Sequence, residues 1–326
     1  MKKFLKWTAI VLVSLFLVYL VGPRPPKAIL SPTLPLVTSD LLKLEKSIQN
    51  SEASFPLKPD NEARIIWADT AKKQKTRYSI VYIHGFGASW AEGDPVHRQL
   101  AQKYGCNLYL ARLKDAGLKD PDAFKNLTPE NFLAGAKHAL AVGKALGDSV
   151  ILIGCSAGGL LSSYLAAYHP EIKALLLYSP CFKVNGLGMI TGPWGQQLLA
   201  LFAGSHLNYT HLEPERAQYW LTSHHTNGLM TLQQSMDAIA TPELFGKIKV
   251  PTLILYYYKD ENNQDKVVSV AAMQEAFEEL GVPTNQKRQL ALPNTGAHVI
   301  ASHFTSKDLQ SVVSESEKFL KETVFK

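Results

Sequence analysis

Val150-Ile151-Leu152-Ile153-Gly154-Cys155-Ser156-Ala157-Gly158-Gly159 is a short apolar run that breaks into a glycine-flanked serine. Four branched aliphatic residues in a row read as a strand buried on both faces. The stretch from Gly158 to Tyr168 reads as a helix. The pattern G-x-S-x-G over residues 154–158 therefore falls on a strand-to-helix turn, where a serine must take a strained backbone and bulky neighbours would clash. Its hydroxyl stands at a helix N-terminus, whose free amides favour a developing negative charge. On this pattern Ser156 is a candidate nucleophile. Cys155 beside it reads as a small packed residue.

Upstream, the strand Tyr78–Ile83 runs into His84-Gly85-Phe86-Gly87. Two glycines let the chain turn with an amide pointing into a cavity. The backbone N–H groups of Phe86 and Ala157 are then the candidate oxyanion donors. Downstream, Pro293-Asn294-Thr295-Gly296-Ala297-His298 separates the last strand from the last helix, and His298 is the candidate base. The strand Thr252–Tyr257 is followed by Lys259-Asp260-Glu261-Asn262-Asn263-Gln264-Asp265-Lys266-Val267-Val268. Either Asp265 or Asp260 could bond the imidazole. Asp265, next to the paired valines, is preferred, with Asp260 the alternative acid.

Around these motifs, strands at Arg64–Trp67, Asn107–Ala111, Ala174–Tyr178 and Lys287–Leu292 alternate with helices at Pro95–Tyr104, Pro129–Leu146, Val268–Leu280 and Lys307–Thr323. The alternation implies a mostly parallel central sheet with helices on both faces. Residues 182–248 interrupt it and read as a mainly helical lid insertion without a clear strand. His224-His225 within it lacks a third ligand at metal spacing.

The chain has 326 residues, 46% hydrophobic and 19% charged, so a sizeable core is possible and wholesale disorder is excluded. The net charge is +6, but Lys2, Lys3, Lys6, Arg24 and Lys27 supply five positives and no acid precedes Asp40. The body is nearly neutral, so no nucleic-acid partner is expected. Three scattered cysteines offer neither a disulfide framework nor a zinc site. Residues 1–22 read as an N-terminal membrane anchor or signal peptide, because an apolar run from Trp7 to Gly22 follows the lysines. The expected location is membrane-anchored with the catalytic domain extracytoplasmic, or secreted or periplasmic if the segment is cleaved. Residues 23–61 form a Pro-rich spacer and a short helix near Ser39–Ile48; residues 62–326 form the catalytic domain.

Taken together, residues 62–323 resemble the α/β-hydrolase superfamily, in particular the monoacylglycerol lipase, lysophospholipase and serine aminopeptidase group. The resemblance rests on His84–Gly87, the Gly154–Gly158 turn, the acid near Val267-Val268, Gly296-Ala297-His298, Glu92-Gly93-Asp94-Pro95 and Ala111-Arg112-Leu113. It implies a triad of Ser156, Asp265 and His298, a lid between the sixth and seventh core strands, and ester hydrolysis without metal or cofactor. The expected substrate is a small-molecule ester, acyl-chain containing: an acylglycerol, a lysophospholipid or a small hydrophobic ester. The chain departs from the family in the residues added before Asp265 and in Ser269 where a proline is usual. A serine aminopeptidase-like peptidase, for which Glu213 and Glu215 would bind the substrate amine, an acyltransferase and a non-catalytic hydrolase-fold binder are the alternatives.

Overall fold

The computed structural model describes residues 2–210 and 212–326. In chain order come α1 (Lys2–Leu20), α2 (Leu41–Ala53), β1 (Arg64–Ile66), β2 (Thr76–Ile83), α3 (Val96–Tyr104), β3 (Asn107–Leu110), α4 (Pro129–Leu146), β4 (Gly147–Cys155), α5 (Ala157–Tyr168) and β5 (Ala174–Tyr178). The segment between sheet strands then carries α6 (Gly195–Ala203), β6 (His206–Asn208), α7 (Pro214–Tyr219), β7 (Ser223–His225), α8 (Asn227–Ile239) and α9 (Pro242–Phe245). β8 (Thr252–Tyr256), α10 (Val270–Glu279), β9 (Lys287–Ala291) and α11 (Leu309–Thr323) complete the fold.

Seven strands form one sheet in the order β1-β3-β2-β4-β5-β8-β9. Every neighbour pair is parallel except the edge strand β1, which runs antiparallel to β3. The apolar run in β4 follows from its central place. Successive side chains point to opposite faces, so Val150 and Leu152 join one core with α4 and α5, while Ile151 and Ile153 join another with α3 and α11. Neither face meets water, and no polar alternation is needed.

Capping sets the helix boundaries. Thr128 Oγ1 accepts from the Asn131 amide while Asn131 Oδ1 accepts from the Thr128 amide, with Pro129 in the first turn. This reciprocal cap starts α4 where the sequence predicts it. α10 begins two residues later than expected because Ser269 accepts from Ala272 N–H. α11 starts at Leu309 because Asp308 accepts from Ser311 N–H.

Two expectations are corrected. Residues 182–248 contain strands after all: β6 and β7 pair antiparallel, with Leu207 opposite His224. Each has three residues and no apolar alternation, so neither leaves a period in the sequence. The insertion also lies between the fifth and sixth strands of the sheet in chain order, β5 and β8, not between the sixth and seventh.

Residues 23–36 run extended along the body, where Pro32 O and Ser31 O bond His169 Nε2 and Lys137 Nζ. α2 buries Leu44 and Ile48 in the core. Its Glu52 carboxylate receives two bonds from the Arg112 guanidinium, at 2.5 and 3.1 Å, and one from the Ala63 amide. Both side chains are almost fully buried, at 7% and 10% exposure.

Candidate active site

Parallel strands bring their carboxyl ends to one edge of the sheet, where α/β folds place their ligands. Ser156 sits there between β4 and α5 with φ 52° and ψ −121°. The positive φ is strained for a residue with a side chain. The flanking glycines have steric reasons. A Cβ on Gly158 would stand 2.0 Å from Ile83 O, and one on Gly154 would stand 2.6 Å from Gly158 O. Three further bonds hold the turn: Ser156 N–H to Tyr178 O, Leu160 N–H to Ser156 O, and Cys181 N–H to Ser156 O.

The Ser156 hydroxyl lies 2.9 Å from His298 Nε2. His298 Nδ1 lies 2.6 Å from Asp265 Oδ2 and donates to it. Asp265 Oδ1 accepts from the Val267 and Val268 amides at 2.8 and 3.0 Å, and the side chain is fully buried. The two valines thus supply backbone donors that fix the carboxylate. Asp260 lies elsewhere. Its carboxylate caps its own loop by accepting from Asn262 N–H, Asn263 N–H and the Asn263 side chain. The residues added before Asp265 close on themselves through a bridge between Tyr258 and Gln264, and Asp265 N–H returns to Tyr257 O. An inserted loop therefore delivers its last acid back to the strand end.

Among the described residues, no hydrogen bond within the fold uses the amides of Phe86 or Ala157. They flank Ser156 from the two loops and remain available as donors. His84 locks the first loop: Leu113 N–H donates to its Nε2 and its Nδ1 bonds Gly85 O. Burial pushes its pKa down to about 4, so it stays neutral. The insertion docks on the same loop through Leu221 N–H to Gly87 O, 2.7 Å. Phe86 packs against Phe124 and edge-on against His224. Glu213 and Glu215 are exposed at the start of α7, away from these contacts.

Glu92 is a site residue that the sequence names only as part of a resemblance. It is fully buried. Its Oε2 accepts from Gly85 N–H at 2.5 Å and from the Tyr82 hydroxyl at 3.1 Å. A Cβ on Gly85 would meet Glu92 Oε1 at 2.6 Å and Ser156 Cβ at 2.9 Å, so the carboxyl lies directly beneath Ser156. An acid five residues after the His84–Gly87 turn, two before Asp94, is the only trace it leaves. Burial raises its pKa to about 7, against the lowering pull of the Gly85 amide and His298. A carboxyl with a raised folded pKa stabilises the fold most below its unfolded value of 4.5, and that contribution is gone above pH 7. Glu92→Gln should therefore gain about 3 kcal/mol relative to the wild type between about pH 4.5 and 8, at about 1.4 kcal/mol per pKa unit. Urea unfolding across that range measures it, and a pH-independent difference between the two proteins would contradict it.

Cys155 also faces Glu92, and burial followed by that carboxyl raises its thiol pKa well above the ordinary value. It stays protonated and is a poor nucleophile. A cavity of 630 Å³ is lined by Phe182, Val184, Met236 and Phe245 and touches neither Ser156 nor His298. A smaller one of 300 Å³ opens against His298, between Tyr257, Val267 and Gly296. Geometry, not volume, marks the site.

A sheet of this order with a serine at a strand-to-helix turn and a histidine arriving after the last strand defines an α/β hydrolase. The alpha/beta hydrolase family model matches residues 80–310, and the chain belongs to that family. No curated protein matches the sequence. Among solved structures, a metagenome-derived lipolytic enzyme superposes with a TM-score of 0.66 at 18% identity, covering 82% of this chain and 99% of its own. The monoacylglycerol lipase of Paleococcus ferrophilus gives 0.57 at 16% identity, covering 80% and 98%. A soluble variant of the Saccharomyces cerevisiae monoglyceride lipase, solved with a substrate analogue, gives 0.59 at 15%, covering 80% and 92%.

Proposed function

We propose that this protein is a serine hydrolase that cleaves carboxylic esters through an acyl-enzyme on Ser156. The hydrogen-bonded chain from Ser156 Oγ through His298 to Asp265 carries the reading. His298 Nε2 takes the hydroxyl proton as Oγ attacks the acyl carbon. The Phe86 and Ala157 amides receive the oxyanion. Asp265, held by two backbone amides, keeps Nδ1 protonated and stabilises the imidazolium. His298 then returns the proton to the leaving alcohol. Water, deprotonated by the same nitrogen, attacks the acyl carbon and releases the acid. Glu92 positions the Gly85 turn beneath this chain.

The substrate is an ester with an acyl chain, met at a membrane. α1 is long and apolar enough to cross one, and Lys2, Lys3 and Lys6 precede its apolar part. We read it as a retained anchor with the body on the extracytoplasmic side. Residues 182–248 are the lid. The structures named above come from lipolytic enzymes, which agrees with this choice. The test sets p-nitrophenyl esters of graded acyl length against aminoacyl-anilides. Ester turnover without anilide turnover is the expected result; the reverse would overturn the reading.

A further inference from the structure

The end of α1 is bonded to the lid. Trp194 Nε1–H donates to Val18 O at 3.1 Å, and Trp194 N–H donates to Pro23 O at 2.8 Å. Gly22 is buried in this contact, where a Cβ would stand 2.0 Å from Trp194 Nε1. The Tyr19 hydroxyl lies beside Gly192. Trp194 adopts φ 60°, a left-handed conformation unusual for a tryptophan, and α6 starts directly after it.

α6 is built unlike a water-facing helix. Leu201 and Phe202 are 74% and 82% exposed, Leu198 is exposed beside them, and Met189 in the preceding turn is 77% exposed. No Asp, Glu, Lys or Arg occurs between Lys183 and Glu213. Charged side chains normally cover an exposed helix face, and a patch of large apolar residues without them marks an interaction surface. What covers this one follows from its neighbour. α1 has 19 residues, about 28 Å of helix, close to the roughly 30 Å hydrocarbon thickness of a bilayer. Its last turn, at Val18 and Tyr19, therefore ends at the headgroup level, where tryptophan and tyrosine rings prefer to sit. Arg24 and Lys27 follow just outside the hydrocarbon, at headgroup depth.

We propose that α6 lies in the interface of the bilayer that α1 crosses, with Leu198, Leu201 and Phe202 dipped into the acyl region and the Trp194 contact fixing the depth. The partner is the phospholipid surface itself. The lid then spans from lipid to the oxyanion loop, since its Leu221 amide bonds Gly87 O. An ester dissolved in the leaflet would meet the lid before it meets water. This inference rests on reading α1 as a retained anchor, and uses ester hydrolysis only in its second measurement.

The first measurement uses the full chain in phosphatidylcholine vesicles. The native cysteines are buried, so Phe202→Cys can carry a single environment-sensitive fluorophore. Asp148→Cys, at the opposite end of β4 from Ser156, is the control. Lipids with a quencher high on the acyl chain should dim the Phe202→Cys label at least twofold and leave the control unchanged. Aqueous iodide should do the reverse. Equal iodide quenching at both positions, or a membrane-bound chain that begins beyond residue 22, would overturn the proposal. The second measurement compares Leu201→Asn/Phe202→Asn with the wild type. Hydrolysis of a long-chain ester embedded in vesicles should fall about tenfold, while a water-soluble short ester is cleaved within twofold of the wild-type rate. Equal loss on both esters, or loss on neither, counts against the lid's contact with lipid. A wild-type chain that cleaves neither ester refutes the esterase reading alone, and the quenching result stands apart from it.

Discussion

Ser156→Ala is expected to lower ester turnover by about 10⁶-fold, the scale on which serine nucleophiles act together with their base. Fluorophosphonate labelling should vanish with it. The fold should survive, because the position needs a positive φ whichever small side chain it carries, and the three backbone bonds that hold the turn are untouched. Only the Oγ–His298 bond is lost, a net cost of about 1 kcal/mol. Urea unfolding and probe labelling of the same preparation separate the two effects. Labelling that persists in a folded Ser156→Ala protein would place the nucleophile elsewhere.

Asp265→Asn should reduce kcat by about 10⁴, because an amide can hold the imidazole in the tautomer that leaves Nε2 protonated and unable to take the serine proton. The Asn oxygen can still accept from Val267 and Val268, so loop geometry is kept and the loss reports on charge and tautomer. Asp260→Asn, on the same loop, should change turnover by less than about twofold: its carboxylate serves Asn262 and Asn263, not His298. Parallel assays of the two variants weigh the two acids directly. A large loss in Asp260→Asn with little in Asp265→Asn would reverse the assignment.

The turn at Ser156 was legible in the sequence because steric necessity writes itself as glycine. Gly154 and Gly158 are where a Cβ would strike backbone oxygen. The parallel sheet was legible because β4 buries both faces and so loses polar alternation. His298 followed from topology, as the loop after the last sheet strand ends at the same edge as the serine. The acid was harder: its loop is longer than the family pattern, and only the fold-back at Tyr258 and Gln264 returns Asp265 to the strand end. Glu92 left almost no signal, since a fully buried carboxyl is among the least expected groups in a core. β6 and β7 left none, because strands of three residues are too short to carry a period. The contact between residues 182–248 and α1 is likewise invisible to periodicity: it depends on Gly22 being small and on Trp194 taking an unusual conformation.

The buried pair between Glu52 and Arg112 has a practical consequence for making a truncated, water-soluble form of this enzyme. Removing everything before residue 62 looks natural from the proline-rich composition upstream. That cut would strand the Arg112 guanidinium without its counter-ion and bare the groove filled by Leu44 and Ile48, and losing one partner of such a pair costs about 3–5 kcal/mol. A trimmed chain should instead begin close to residue 28, discarding the hydrophobic leader while keeping the helix that fastens onto the domain behind it.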